Sequence, residues 1–155
     1  MNLSANNFEM WVFRRNPDVE YLLMRTSQEK ADRFFGGGRF WQVPTDAIGD
    51  GEQIEDAAVR VATDLGLTIS ALWAAEHTYT IYNRRRREVA IIPVFAAQVD
   101  VVTDVTLTWE HSEAGWYSAQ ACFERVHFKG TKEGLQSVRD YVTETVAPAK
   151  ELQLI

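Results

Sequence analysis

Acidic side chains crowd the stretch DAIGDGEQIEDAAVRVATDLG, residues 46–66. Carboxylates repeated at about one helical turn share a helix face and can converge on one hard cation. Such a cation would neutralise phosphate charge and lower the pKa of an attacking water. A second chemistry fits the same residues. Asp56, Arg60 and Asp64 stand at i, i+4 and i+8, and an Asp four residues before an Arg makes a favourable helical ion pair worth roughly 0.2–0.5 kcal/mol. Ile54, Ala57, Ala58, Val61 and Leu65 form an apolar stripe on the opposite side. Periodicity alone favours this second reading, a half-buried helix with an ion-paired outer face.

Other residues offer weaker chemistry. FFGGGRFW (34–41) sets three glycines beside Arg39 and Trp41. No Gly-Lys-Ser/Thr follows, so this is not a phosphate loop of the Walker kind; it reads as a flexible insert between strands. Arg25, Arg39 and Trp41 are candidate substrate-binding residues, and Trp41 is expected near the pocket mouth because its loop leads into residues 46–66. The four arginines 84–87 read as a solvated hairpin tip rather than a phosphate contact. His77 is assigned to structure, His111 to a loop hydrogen bond beside Glu110 with acid–base assistance as the alternative, and His127 to packing. Cys122 has no nearby His in the sequence and reads as a small buried hydrophobe.

The positioning elements follow from hydrophobic period and turn chemistry. FEMWVFRR (8–15) is apolar on both faces and predicts a buried strand. NPD (16–18) turns the chain into a returning strand, EYLLMRT (20–26). Residues 27–40 are predicted as a loop and 41–48 as extended, with Pro44 preventing a helix. A helix is predicted from about Ile54 to Leu65, stopped by Gly66. Two strands, 71–82 and 88–99, flank the 83–87 tip. Residues 104–109 predict a short strand or loop, 114–118 a short strand, 118–125 a helix and 132–146 a terminal helix. In that last helix Leu135, Val138, Tyr141 or Val142, and Val146 fall at helical spacing. Trp11, Trp73 and Trp116 are core candidates.

The whole chain narrows the options. Its 155 residues suggest one domain over 1–155. Five Trp, eight Phe and five Tyr supply ample core. A net charge of −6 argues against a broad basic face, so no nucleic-acid partner is expected. One cysteine excludes an intramolecular disulfide and points to a reducing compartment. MNLSANNFEM lacks the features of a signal peptide, and no run reaches the roughly 18 apolar residues of a membrane span. The expectation is a soluble, cytoplasmic protein with no membrane partner.

WQVPTDAIGDGEQIEDAAVR resembles the start of the Nudix hydrolase box. That box runs Gly, five residues, Glu, seven residues, Arg-Glu, an aliphatic, any residue, Glu-Glu, any residue, Gly and an aliphatic. Here five residues separate Asp46 from Glu52 and seven separate Glu52 from Arg60. Gly51-Glu52, Ala57-Ala58 and Arg60 match. ALWAAEHTYTIYNRRRREVAIIPVFAAQV is similar to the strand pair of the branch near dihydroneopterin triphosphate and dATP pyrophosphohydrolases. WEHSEAGWYSAQACFERVHFKGTKEGLQSVRDYV is similar to that branch's C-terminal loop, Trp-containing strand and helix. The resemblance covers about 8–146.

It implies an α/β Nudix fold, a mixed β-sheet sandwiched between helices, that hydrolyses a diphosphate linkage in a nucleotide-like or pterin triphosphate-like substrate. Mg²⁺ or Mn²⁺ would be held by the box glutamates. The box is degenerate: Asp46 stands at the leading glycine, Val61 at the first glutamate, Asp64 at the second and Leu65 at the third. Gly66-Leu67 arrives one residue early. The resemblance therefore implies a metal site of Asp64 and Glu110, Glu110 standing where this branch carries a further metal-binding or catalytic glutamate. Glu52 and Arg60 would act with Glu110 in catalysis by orienting the loop and helix. Two outcomes follow: a weakened hydrolase, or a catalytically inactive Nudix-fold protein that binds or regulates. The partner in either case is a diphosphate-containing small molecule, and a homodimer is compatible with both.

Overall fold

A computed structural model of the chain describes residues 1–101 and 104–155. Eight strands form one mixed sheet among these residues. They are β1 (Asn2–Ser4), β2 (Asn7–Arg15), β3 (Val19–Thr26), β4 (Trp41–Gln42), β5 (Thr45–Ala47), β6 (Ile69–Asn83), β7 (Glu88–Val99) and β8 (His111–Tyr117). The helices are α1 (Gln28–Phe34), α2 (Ile54–Asp64), α3 (Ala119–Arg125) and α4 (Lys129–Val138). Strand β7 runs parallel to β1 and β2 and antiparallel to β6, while β3 pairs antiparallel with β2, β4 and β8.

The two apolar faces of β2 sort onto two layers, as strand alternation requires. Phe8, Met10 and Val12, with Leu22 and Met24 of β3, pack under α2. Trp11 and Phe13, with Tyr21 and Leu23, face Cys122 of α3 and Leu135 and Val138 of α4. The sheet is therefore sandwiched between helices, as expected. Helix α2 buries Ala57, Ala58, Val61 and Ala62. Gly66, at φ +75°, ends it in a Schellman motif: its N–H bonds Thr63 O (2.9 Å) and the Leu67 N–H bonds Ala62 O (2.9 Å).

Several expectations need correction. Residues 27–40 are not all loop, because Ser27 Oγ caps the Lys30 N–H (3.1 Å) and starts α1. Ion pairing of Arg33 with Glu29 (2.7 Å) and a Gln28–Asp32 bond (2.9 Å) support its exposed face. The terminal helix begins earlier than 132 and ends at Val138, where a π-helical turn, Arg139–Thr143, takes over. That turn buries Val142 and leaves Tyr141 exposed, and Val146 beyond it is exposed as well. Arg60 does not pair with Asp56; it reaches back to Glu52 and Asp46. The tail is ordered, its Leu154 N–H bonding Leu72 O at 2.8 Å.

One polar group lies deep in the α4 layer. Glu9 is 2 % exposed, and its Oε2 accepts from Tyr79 (2.5 Å) and Thr131 (3.0 Å). Its Oε1 has no partner among the described residues. Burial drives the Glu9 carboxyl above the usual carboxylate range, and burial with the neighbouring Glu9 charge drives the Tyr79 phenol up as well.

Candidate functional site

A cleft of about 520 Å³ opens where α1, α2, β5 and the turn before β8 meet the β6–β7 hairpin. Such a volume suits a small organic ligand. Lys30, Asp46, Val61, Asp64, Leu65, Arg86, Trp109, Glu110 and His111 all contribute to its walls.

The loop into α2 is held by one arginine. Arg60 Nε donates to Glu52 Oε1 (2.9 Å) and Nη2 to Glu52 Oε2 (3.0 Å). Its Nη1 reaches Asp46 Oδ2 (2.9 Å) and Nη2 also bonds the Ala47 carbonyl (2.9 Å). The Gly49 N–H adds a further bond to Glu52 Oε2 (2.8 Å). These donors hold the Glu52 carboxyl down at about 2, the Arg60 hydrogen bonds contributing most, and the same bonds raise the Arg60 guanidinium. Glu52 and Arg60 are thus bound to each other and to the loop.

The opposite wall is fastened by α1. Lys30 Nζ lies 3.1 Å from Glu110 Oε2, and the Ser27 N–H bonds the Glu110 carbonyl (2.8 Å). His111 follows directly. Desolvation, and then the Lys30 charge, lower its pKa to about 4 against an opposing effect of Glu110, so the ring is neutral at pH 7.

Asp64 and Glu110, paired from the sequence, do line one cleft. The Asp64 side chain makes no hydrogen bond or ion pair among the described residues. Arg25, Arg39 and Trp41 are not among the cleft-lining residues. Arg25 faces Glu113 at 3.5 Å. Arg39 donates to Thr26 O (2.9 Å) and bonds Ser112, bracing the glycine segment. Trp41 packs edge-on against Tyr117 at 5.6 Å. The reason is register: pairing of β4 with β3 turns this segment to the sheet edge. Conversely, Arg86 of the expected solvated tip lines the cleft. The sequence reading missed Lys30 and Trp109. The α1 cap at Ser27 was the available signal for Lys30; for Trp109, adjacency to Glu110 was the sole hint.

The chain belongs to the Nudix family, whose domain model matches residues 7–140. That family hydrolyses pyrophosphate bonds in nucleotide-like substrates and generally uses divalent cations such as Mg²⁺. The fold is similar to a Nudix hydrolase from Listeria monocytogenes, with a TM-score of 0.72 and 18% identity over 93% of this chain and 98% of that one. It is also similar to the E. coli dihydroneopterin triphosphate pyrophosphohydrolase (TM-score 0.65, 16% identity, 92% and 99% covered). A third likeness is the Nudix domain of Shewanella oneidensis NrtR, solved with ADP ribose (TM-score 0.69, 13% identity, 92% and 90% covered). Among curated proteins none matches.

The donor set does not fit a resident divalent cation. No group of three or more His, Cys, Asp or Glu gathers in metal-holding geometry among the described residues. Glu110 is engaged by Lys30 and Asp46 by Arg60. Val61 and Leu65 present hydrocarbon, which coordinates nothing, to the same cleft.

Proposed function

We propose that the cleft binds the diphosphate group of a nucleotide-like small molecule without a resident metal, and that hydrolysis is weak or lost. The observation that carries this is that two cations line the cleft, Lys30, paired with Glu110 at 3.1 Å, and Arg86, with Glu88 at 3.8 Å, and a phosphate would compete with those carboxylates for them. Ammonium and guanidinium groups bind phosphate oxygens through charge-assisted hydrogen bonds. Glu52 and Arg60 act as positioning residues, holding the 46–52 loop against α2. The ADP ribose bound to the Shewanella relative supports a nucleotide diphosphate as the ligand class.

A second reading keeps hydrolysis. It is favoured by Asp64 and Glu110 lining one cleft, since Mg²⁺ can sit on one or two carboxylates when substrate phosphates and waters complete its shell. Calorimetric titration with ADP and inorganic pyrophosphate, in EDTA and then in Mg²⁺, separates the two. Binding that persists in EDTA, falls about 10- to 100-fold in Lys30→Met by loss of a charged hydrogen bond, and survives Asp64→Ala supports the first reading. Binding seen only with Mg²⁺, together with phosphate release abolished by Asp64→Ala, replaces it with the second.

A further inference from the structure

We propose that Trp109 is the platform on which the aromatic base of a bound nucleotide stacks, an assignment that rests on the cleft taking a nucleotide's diphosphate. Trp109 is 46 % exposed, yet it lines the cleft. Among the described residues it is the sole Trp, Tyr or Phe in that lining.

The indole is held in place rather than left loose. Lys30 and Arg33, at i and i+3 on α1, reach two successive residues of one turn. Lys30 takes the Glu110 carboxylate, and the Arg33 guanidinium lies 4.9 Å from the Trp109 ring centroid. Arg33 is itself tethered by Glu29 at 2.7 Å. The backbone of the turn is pinned by the Ser27 N–H on the Glu110 carbonyl (2.8 Å), and the Glu110 N–H lies on Thr108 Oγ1 (3.3 Å). A ring held this way has less side-chain freedom to lose when a ligand arrives, one of the costs of binding.

Chemistry then selects the occupant. A guanidinium over one face already satisfies the electrostatic attraction of the indole quadrupole for a cation. The remaining surface suits a neutral, flat heterocycle, held by dispersion and desolvation. Trp109 is adjacent in sequence to Glu110, the residue on which the Lys30 cation rests, so base and phosphate subsites adjoin. Stacking tolerates every base because each has a π-face. The site therefore takes nucleoside diphosphates as a class and ranks them by stacking strength.

The test titrates ADP, GDP, CDP, UDP and inorganic pyrophosphate into the wild-type chain, Trp109→Leu and Trp109→Phe. Leucine keeps apolar bulk at an exposed turn but removes the π-face; phenylalanine keeps it. The expected result is that wild type prefers nucleotides to pyrophosphate. Trp109→Leu should weaken the nucleotides about 5- to 150-fold, matching stacking of one base, and leave pyrophosphate unchanged. Trp109→Phe should retain most nucleotide affinity. Equal binding of nucleotides and pyrophosphate by wild type, or equal loss of both in Trp109→Leu, overturns this assignment while the diphosphate cleft stands. Absence of binding by wild type to every probe removes both.

Discussion

Replacing Glu9 by glutamine should remove a pH dependence from the stability of the whole domain. The carboxyl sits 2 % exposed, its bonds from Tyr79 and Thr131 fall on one oxygen, the Trp11 indole N–H also favours the charged form, and no cation contributes to its environment. Burial raises its pKa in the folded chain above the ordinary value of 4.5, against the lowering effect of its hydrogen bonds. Between those two pKa values the native state keeps a proton that the unfolded chain has released. The stability contribution is therefore fully present below about pH 4.5. It falls by about 1.4 kcal/mol per pH unit as pH rises towards the folded pKa. The amide introduced by Glu9→Gln carries no titrating proton, so that slope vanishes. Its N–H₂ can stand where the carboxyl meets the Tyr79 and Thr131 hydroxyls, which accept as well as donate. Wild type should therefore lose stability relative to Glu9→Gln as pH rises. Urea denaturation from pH 4.5 to 8, expressed as wild type minus Glu9→Gln, isolates this group because all others cancel. A difference that stays flat with pH refutes the reasoning.

Three further outcomes are expected. His111 has a folded pKa of about 4 against an ordinary 6.5, so its stabilising effect is present above pH 6.5 and is lost as pH falls towards 4; a ¹H NMR titration that finds it protonating near 6.5 would contradict the burial argument. Arg60→Ala should let the Glu52 carboxyl climb from about 2 towards 4.5 by removing its principal donor, a change readable by ¹³C carboxyl titration. Val61→Glu should restore a third carboxylate beside Asp64 and Glu110 and create Mn²⁺ affinity detectable by EPR; a folded variant that still ignores Mn²⁺ would show that ligand count is not what the cleft lacks.

How much was legible in the residues depends on the range of the forces involved. The apolar run 8–15 declared a strand buried on both faces, and it is one, because side-chain alternation is a local property. The α2 stripe and its Gly66 stop were equally readable, since helix period and the left-handed conformation are written in neighbouring residues. Helix α1 was hidden beside three glycines, although the Ser27 cap and the Glu29–Arg33 spacing marked it. The switch from α4 into a π turn at Arg139 had no such mark. There Thr143 is bonded to Tyr21 at 2.7 Å, and the choice of Val142 over Tyr141 comes from the opposing strand.

For the site the division is sharper. Residue types alone announced that Val61 and Leu65 cannot ligate a metal, because hydrocarbon has no lone pair to give. The resemblance implied an orienting role for Glu52 and Arg60, and in the fold the two side chains bond each other. Only the tertiary structure decided that Arg60 abandons Asp56, that Lys30 rests on Glu110 and that Trp109 and Arg86 share a cleft with Asp64. Those contacts join residues up to eighty positions apart, and charges separated so far along the chain meet by the packing of α1 and α2 around the sheet, not by any local preference.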